Sequence, residues 1–213
     1  MWYFNIKSLG FFILLCFFSC ISGEKYPVVM NNKNDNCVFS CDLNQVSVIW
    51  SGFKTTEKIK VTGQFKKFKS QKASNNKSYQ SIQDLMEGLD FVIDSQSSVS
   101  GDPVRDLNLQ DAFFRYFVER FMISGVFGKI QGDSISVSLN LMGQKNFKLG
   151  ISYTNEVVNI KGSVDLIKQL NANMAFEAIQ RKCYDLHKGP DGNSKTWSDV
   201  EIHIKAPITK KCN

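Results

Sequence analysis

The sequence predicts an all-β domain with minor α content, built on eight antiparallel strands. Three observations carry that expectation. Segment after segment alternates apolar and polar side chains at a period of two, the pattern of a half-buried strand. Short polar turns (Gln131-Gly132-Asp133, Gly143-Gln144-Lys145, Thr154-Asn155-Glu156) join consecutive segments, which is how an antiparallel meander is connected. Helical spacing is confined to two interruptions.

Residues 45–53 are the first expected strand. Residues 58–68 alternate most clearly, with Ile59, Val61, Gly63 and Phe65 set against Lys58, Lys60, Thr62, Gln64 and Lys66. In residues 88–95, Leu89, Phe91 and Ile93 share one face and Asp90, Val92 and Asp94 the other. Residues 121–131 form the fourth. Residues 133–143 place Ile135, Val137, Leu139 and Leu141 opposite serines and Asn140. Residues 146–154 group Phe147, Leu149, Ile151 and Tyr153, and residues 157–164 group Val158, Ile160, Gly162 and Val164. Residues 197–206 close the series with Val200, Ile202 and Ile204. Of the helices, residues 105–118 carry Phe113, Phe114 and Phe117, and residues 171–187 set Leu170, Met174, Ala178 and Leu186 at helical spacing, with Ile179 beside them, until Gly189-Pro190 stops them. Residues 81–87 read as a single turn and residues 70–79 as a polar loop. Eight such strands fit either a two-sheet sandwich or a closed barrel, and the pattern alone allows both.

The first 19 residues read as a signal peptide. Lys7 precedes an apolar run of ten, residues 9–18, too short for a transmembrane helix of roughly 20 residues. The run ends Phe17-Phe18-Ser19-Cys20, which resembles a lipobox with Cys20 as the lipidated residue, although Phe17 stands where Leu is usual. The alternative is ordinary cleavage near Cys20 or Ser22. The expected organisation is therefore signal 1–19, lipid-anchored tether 20–44 and one domain over 45–213. Removing the leader removes Lys7 alone among the charged residues, so the formal charge of +6 becomes +5. An exported, mildly basic chain suits an anionic membrane surface and makes nucleic acid a poor partner.

Nothing in the sequence assembles a catalytic constellation. It has no G-x-S-x-G, no H-E-x-x-H, no phosphate-cradling glycine loop, and two histidines. His203 falls on the polar face of its strand, and His187 reads as a helix-end residue beside Lys188. Asp94 and Asp106 read as loop and helix-cap acceptors, with Arg105 as a local ion-pair partner. Lys54, Lys58, Lys60, Lys66, Lys67, Lys69 and Lys72 read as an outward basic face, with docking onto anionic lipid heads as the alternative. Cys37 and Cys41 without a second spaced pair make a zinc site unconvincing, and no metal is expected.

The order Ile93, Asp94, Ser97 or Ser98, Arg105, Asp106, Leu109, Phe113, Phe114 resembles the signature of the YceI-like family, the polyisoprenoid-binding, lipocalin-like proteins. The resemblance runs from residues 46–48 through the meander to residues 200–204, and residues 183–200 look like the tail of a lipoprotein subgroup. It implies an eight-stranded lipocalin-like β-barrel with one or two helices, a lipid ligand, and no catalysis. The expected ligand-lining residues are Trp50, Phe65, Phe91, Phe113, Phe114, Phe117, Leu139, Leu141, Phe147 and Phe176, with inward Gly63 and Gly162 leaving room beside the aromatics. Burial of each methylene contributes about 0.8 kcal/mol, so such a site would select chain length and shape and not head-group chemistry. The expected ligand is an isoprenoid or other long-chain lipid, such as a quinone tail or polyprenyl phosphate, held at the bacterial envelope. The rival is an envelope structural or interaction protein with a full core, and an esterase-like enzyme stands third.

Cys37, Cys41, Cys183 and Cys212 remain for disulfides in an oxidising compartment. On one extended strand Cys37 and Cys41 would lie roughly 13 Å apart at ~3.3 Å per residue, out of bonding reach. In an up-and-down barrel of even strand number the first and last strands close antiparallel. Cys212 is therefore expected to pair with Cys37 or Cys41, and Cys183 with the one left.

Overall fold

The computed structural model describes residues 36–72, 77–141 and 143–212. The expected signal peptide and Cys20 anchor lie outside the described residues. All eight expected strands form, in an antiparallel series: β2 (Ser47–Lys54), β3 (Ile59–Phe65), β5 (Asp90–Asp94), β7 (Met122–Gln131), β8 (Ser134–Asn140), β9 (Gln144–Tyr153), β10 (Val157–Asp165) and β11 (Asp199–Cys212). Three short strands join them: β1 (Cys37–Cys41), β4 (Phe68–Lys69) and β6 (Ser98–Val99). β11 pairs with β2, with Ile202 opposite Trp50 and Ile204 opposite Val48, so the last long strand returns to the first.

Closure on the other side is made by two strands that each bend once. β3 runs through Lys66 and Lys67 into β4, and β5 runs through residues 95–97 into β6. Phe65 lies opposite Ser98, and Phe68 lies opposite Ile93. Between these pairs the backbone N–H groups of Lys66 and Lys67 donate to Ser97 Oγ at 3.2 and 3.0 Å, and Ser97 Oγ donates to the Asp94 carbonyl at 2.6 Å. The serine side chain thus satisfies the Lys67 donor that the bend would orphan, while Lys66 N–H also reaches the Ser97 carbonyl at 3.1 Å. The outcome is a barrel in which neighbours in space are neighbours in sequence.

That meander places the connections at two ends. One end holds β1, α1 (Ile82–Met86) and the β7–β8 and β9–β10 turns. Here Phe39, Leu85 and Met86 are at most 3% exposed and plug the barrel. The opposite end holds the β2–β3 turn and both large helical insertions. The first is α2 (Pro103–Leu109), a π-helical turn Gln110–Phe114 and α3 (Arg115–Phe117); the second is α4 (Asn173–Lys182), followed by residues 183–198.

Several expectations change. Residues 37–41, expected in the tether, are a strand paired along β11 with Cys37 opposite Cys212. The domain therefore begins by Cys37 and not at residue 45. The Cys37–Cys212 disulfide forms, but Cys41 and Cys183 are both free and buried, so the second expected bridge is absent. Cys41 lies at the plugged end with Leu43 and Met86, whereas Cys183 follows α4 at the other end, so the barrel separates them. Burial, and then nearby Asp42, push the Cys41 thiol up to about 11. The apolar stripe expected on the second helix is rotated. Asn171 takes a positive φ of 57°, which breaks the phase before α4 starts. Leu170 and Ile179 are buried as expected, but Ala175 and Phe176 join them in the core while Met174 and Leu186 are 63% and 56% exposed. Gly63 and Gly162 do not leave open space. A Cβ at Gly63 would lie 2.3 Å from the Trp50 ring, and one at Gly162 would lie 2.6 Å from Leu149 Cδ2. These glycines make room for large side chains across the strand pair.

Candidate lipid-binding site

Inward faces of the barrel strands enclose a cavity of about 530 Å³. Nine of the ten residues expected from the sequence line it: Trp50, Phe65, Phe91, Phe113, Phe114, Phe117, Leu139, Phe147 and Phe176. Leu141 does not. Its strand ends at Asn140, and Leu141 sits buried in the β8–β9 turn, donating its N–H to the Gly143 carbonyl at 3.0 Å. Further walls come from Val48, Ile123, Val137, Leu149, Val164, Val200, Ile202 and Ile204, which alternation points inward.

The helical insertion supplies the cover. Arg105, Leu109, Phe113 and Phe117 all line the cavity at a spacing of four. On a regular α-helix that spacing drifts by about 40° per step. The π-turn at Gln110–Phe114 widens the helix where the drift would otherwise turn the phenylalanines away. The resulting aromatic cluster is contiguous, with Phe113–Phe117 centroids at 4.9 Å, Phe113–Phe114 at 5.3 Å and Phe114–Phe65 at 5.9 Å. Deeper in, Phe91 meets Phe127 at 4.9 Å. Trp50 donates Nε1–H to Ser98 Oγ at 3.0 Å, so its one polar atom is satisfied within an apolar wall.

Polar side chains gather where the cavity meets the insertions. Lys54, Asp102, Arg105, Asn108, His187 and Thr196 all line it. Residues 194–197 run beside the end of β2: Lys54 bridges Thr196, and Thr55 N–H donates to the Lys195 carbonyl at 2.8 Å. Trp197 is fixed there, its Nε1 donating to the Thr55 carbonyl at 2.8 Å and its ring lying under the ammonium groups of Lys58 and Lys195. His187 shares a 2.7 Å hydrogen bond between Nδ1 and Thr196 Oγ1. Burial first, then Lys54 and Arg105, push its pKa below the ordinary histidine value.

Two sequence expectations are corrected here. Lys54 lies on the cavity rim and not on the outward basic face, and His187, which does end a short 3-10 helix as expected, is half-buried against the cavity and not solvated. Lys54 carried a local signal, since it continues the inward period-two face of Val48, Trp50 and Gly52 at the end of β2, whereas His187 reaches the cavity from the segment after α4 and carried none. The carboxylates behave as expected of caps. Asp94 accepts from Gln96 N–H and pairs with Lys67, and Asp106 accepts from Ser100 N–H and Oγ–H. Arg105 pairs with Asp102, the α2 N-cap, at 3.3 Å. The outward lysines are partly neutralised: Lys58 pairs with Asp199, and Lys60 with Glu201. Among the described residues, no cluster of His, Cys, Asp or Glu is arranged to hold a metal ion. Among the same residues, no helix is long and apolar enough to cross a membrane.

Solved structures share this architecture. A polyisoprenoid-binding domain from Saccharophagus degradans, implicated in plant cell wall breakdown, matches 81% of this chain and 98% of its own at 13% identity and a TM-score of 0.53. BcnA of Burkholderia cenocepacia matches 80% of this chain and 99% of its own at 15% identity and a TM-score of 0.50. A mutant YceI protein of Campylobacter jejuni covers 72% of this chain and 85% of its own at 14% identity and a TM-score of 0.46. No family model matches the sequence, and no curated protein matches it significantly. The first two likenesses show that the chain shares their fold, a lipocalin-like barrel.

Proposed function

We propose that this chain is a YceI-like envelope lipoprotein that sequesters one long apolar lipid, isoprenoid or similar, in its barrel, and that it binds this lipid without transforming it. The observation that carries the reading is the cavity of about 530 Å³ with a wall of phenylalanines, aliphatic side chains and Trp50. A volume of that size lies within the range of small-molecule sites, about 300–1,000 Å³. A barrel filled by its own side chains, as the structural rival requires, would not leave it. At about 0.8 kcal/mol for each buried methylene, a tail of a dozen or more carbons supplies ample gross binding energy. That the Saccharophagus degradans domain sharing this fold is a polyisoprenoid-binding domain supports the same ligand class.

The anchoring part of the proposal rests on residues 17–20, which resemble a lipobox. Detergent phase partitioning tests it: Cys20→Ser should move the protein from the detergent phase to buffer without unfolding it. The ligand part is tested by mass spectrometry of organic extracts from protein purified without detergent exchange. A stoichiometric long-chain lipid is expected. Protein that carries no lipid and also binds none when offered isoprenoid alcohols and long-chain fatty acids would sink the reading.

A further inference from the structure

Between the aromatic body and the helical end lies a neck of hydrogen-bond donors. Asn108 is 8% exposed and lines the cavity. Its side chain makes one polar contact among the described residues, a long 3.9 Å approach of Nδ2 to Cys183 Sγ. A buried amide so poorly matched costs free energy unless something else bonds to it. Lys54 lines the same space, and while its backbone is paired with Ile59 and Thr196, its ammonium group makes no salt bridge or hydrogen bond among the described residues. Arg105 gives one N–H to Asp102 at 3.3 Å and keeps the rest of its fork of donors. Asp102 is the one acid in the lining, against Lys54 and Arg105.

We propose that this neck binds the anionic head, phosphate or carboxylate, of a single-chain amphiphile whose tail fills the barrel. The inference rests on the lipid-holding function proposed above and narrows it, since an apolar cavity alone would not discriminate between heads. Charge-assisted bonds from Lys54 and Arg105, with the Asn108 amide, match the oxygens of such a head. Burial is the main cause of the low His187 pKa; Lys54 and Arg105 add to it, and no acid stands among the causes of its shift. Asp102, held below the ordinary carboxylate range first by the Arg105 N–H, lies on the α2 side, and the Cys183 thiol is raised by burial. An anion seated among these groups opposes the push from the two cations, so it raises the His187 pKa.

The test uses the full chain stripped of lipid on a hydrophobic resin, with two matched pairs of ligands. These are geranylgeranyl phosphate against geranylgeraniol, and hexadecanoate against hexadecanol, by titration calorimetry. The anion of a pair is expected to bind about tenfold tighter or more at low salt. The paired variant Lys54→Gln/Arg105→Gln should shrink that ratio to about twofold. A preference in the phosphate pair alone assigns a lipid phosphate, and one in the carboxylate pair alone assigns a fatty acid. Equal affinity within both wild-type pairs overturns the head-group proposal while leaving lipid binding intact. Failure of all four ligands to bind overturns lipid binding itself. Should the paired variant not fold, NMR titration of His187 in wild type decides. Its pKa should rise with geranylgeranyl phosphate and not with geranylgeraniol, and an identical response to the two rejects the proposal.

Discussion

Phe114 shows how much one side chain can be asked to separate. It is 5% exposed, touches Phe65 and Phe113, and lines the cavity from the π-turn. If the cavity holds lipid, Phe114→Asp should yield a folded protein with little bound lipid, because water can solvate the carboxylate in the emptied space. A tail would have to strip that water at a cost of several kcal/mol. The measurement is the thermal midpoint beside the lipid content of the same preparation. A variant that is folded and fully loaded would take Phe114 out of the site, and one that is grossly unfolded would point to a dry core.

At the scale of elements, the pairing of β1 with β11 decides how the chain is tied down. Cys37 and Cys212 face each other across that ladder and close a loop of 175 residues. On the chain-entropy model a loop of that length is worth about 5 kcal/mol in the unfolded state. Cys212→Ser should therefore lower the unfolding free energy by up to that amount, read from urea titration, and leave lipid content unchanged, since the bridge lies at the plugged end. A variant as stable as wild type would mean that the bridge does not form in the native protein. Two of the added strands, β4 and β6, were illegible in sequence for a related reason. β4 and β6 are two residues each, too short to show alternation. They exist because β3 and β5 meet around Ser97. The eight long strands were legible because each buries one face against a common interior, and that writes a period of two into the residues.

The whole molecule should weaken in acid in two steps. Burial above all, with Lys54 and Arg105 at His187 and Lys161 and Lys205 at His203, lowers both histidine pKa values in the fold. The folded state therefore takes up its histidine protons at lower pH than the unfolded chain, which does so near 6.5. Stability should fall as pH drops below about 6.5, and level off once the folded histidines also protonate. Asp90 and Asp165 have pKa values lowered in the fold, chiefly by backbone N–H donors working against desolvation. Their contribution is present above about 3.9 and is lost as pH falls through their folded values. Urea midpoints measured from pH 8 to pH 3 should show both declines; a profile flat from pH 7 to pH 5 would reject the histidine step.

Local chemistry sets the strands, the turns between them and nine residues of the cavity wall, because alternation is a property of neighbours along one chain. The sequence by itself determined those, together with the pairing of Cys212 to the N-terminal cysteines, which follows from strand parity. Tertiary structure alone decided the rest. It decided that the barrel closes through two bent strands, that Cys41 and Cys183 stay apart at opposite ends, that Gly63 is filled by Trp50, and that Leu141 leaves the lining. It also brought Lys54, Arg105, Asn108 and His187 to one neck, from β2, α2 and the segment after α4. Those four are scattered along 134 positions of sequence, counting from 54 to 187 inclusive. Arg105 and Asn108 share one face of α2 at a spacing of three, but no local period links them to Lys54 or His187, so only closure of the barrel could bring all four together.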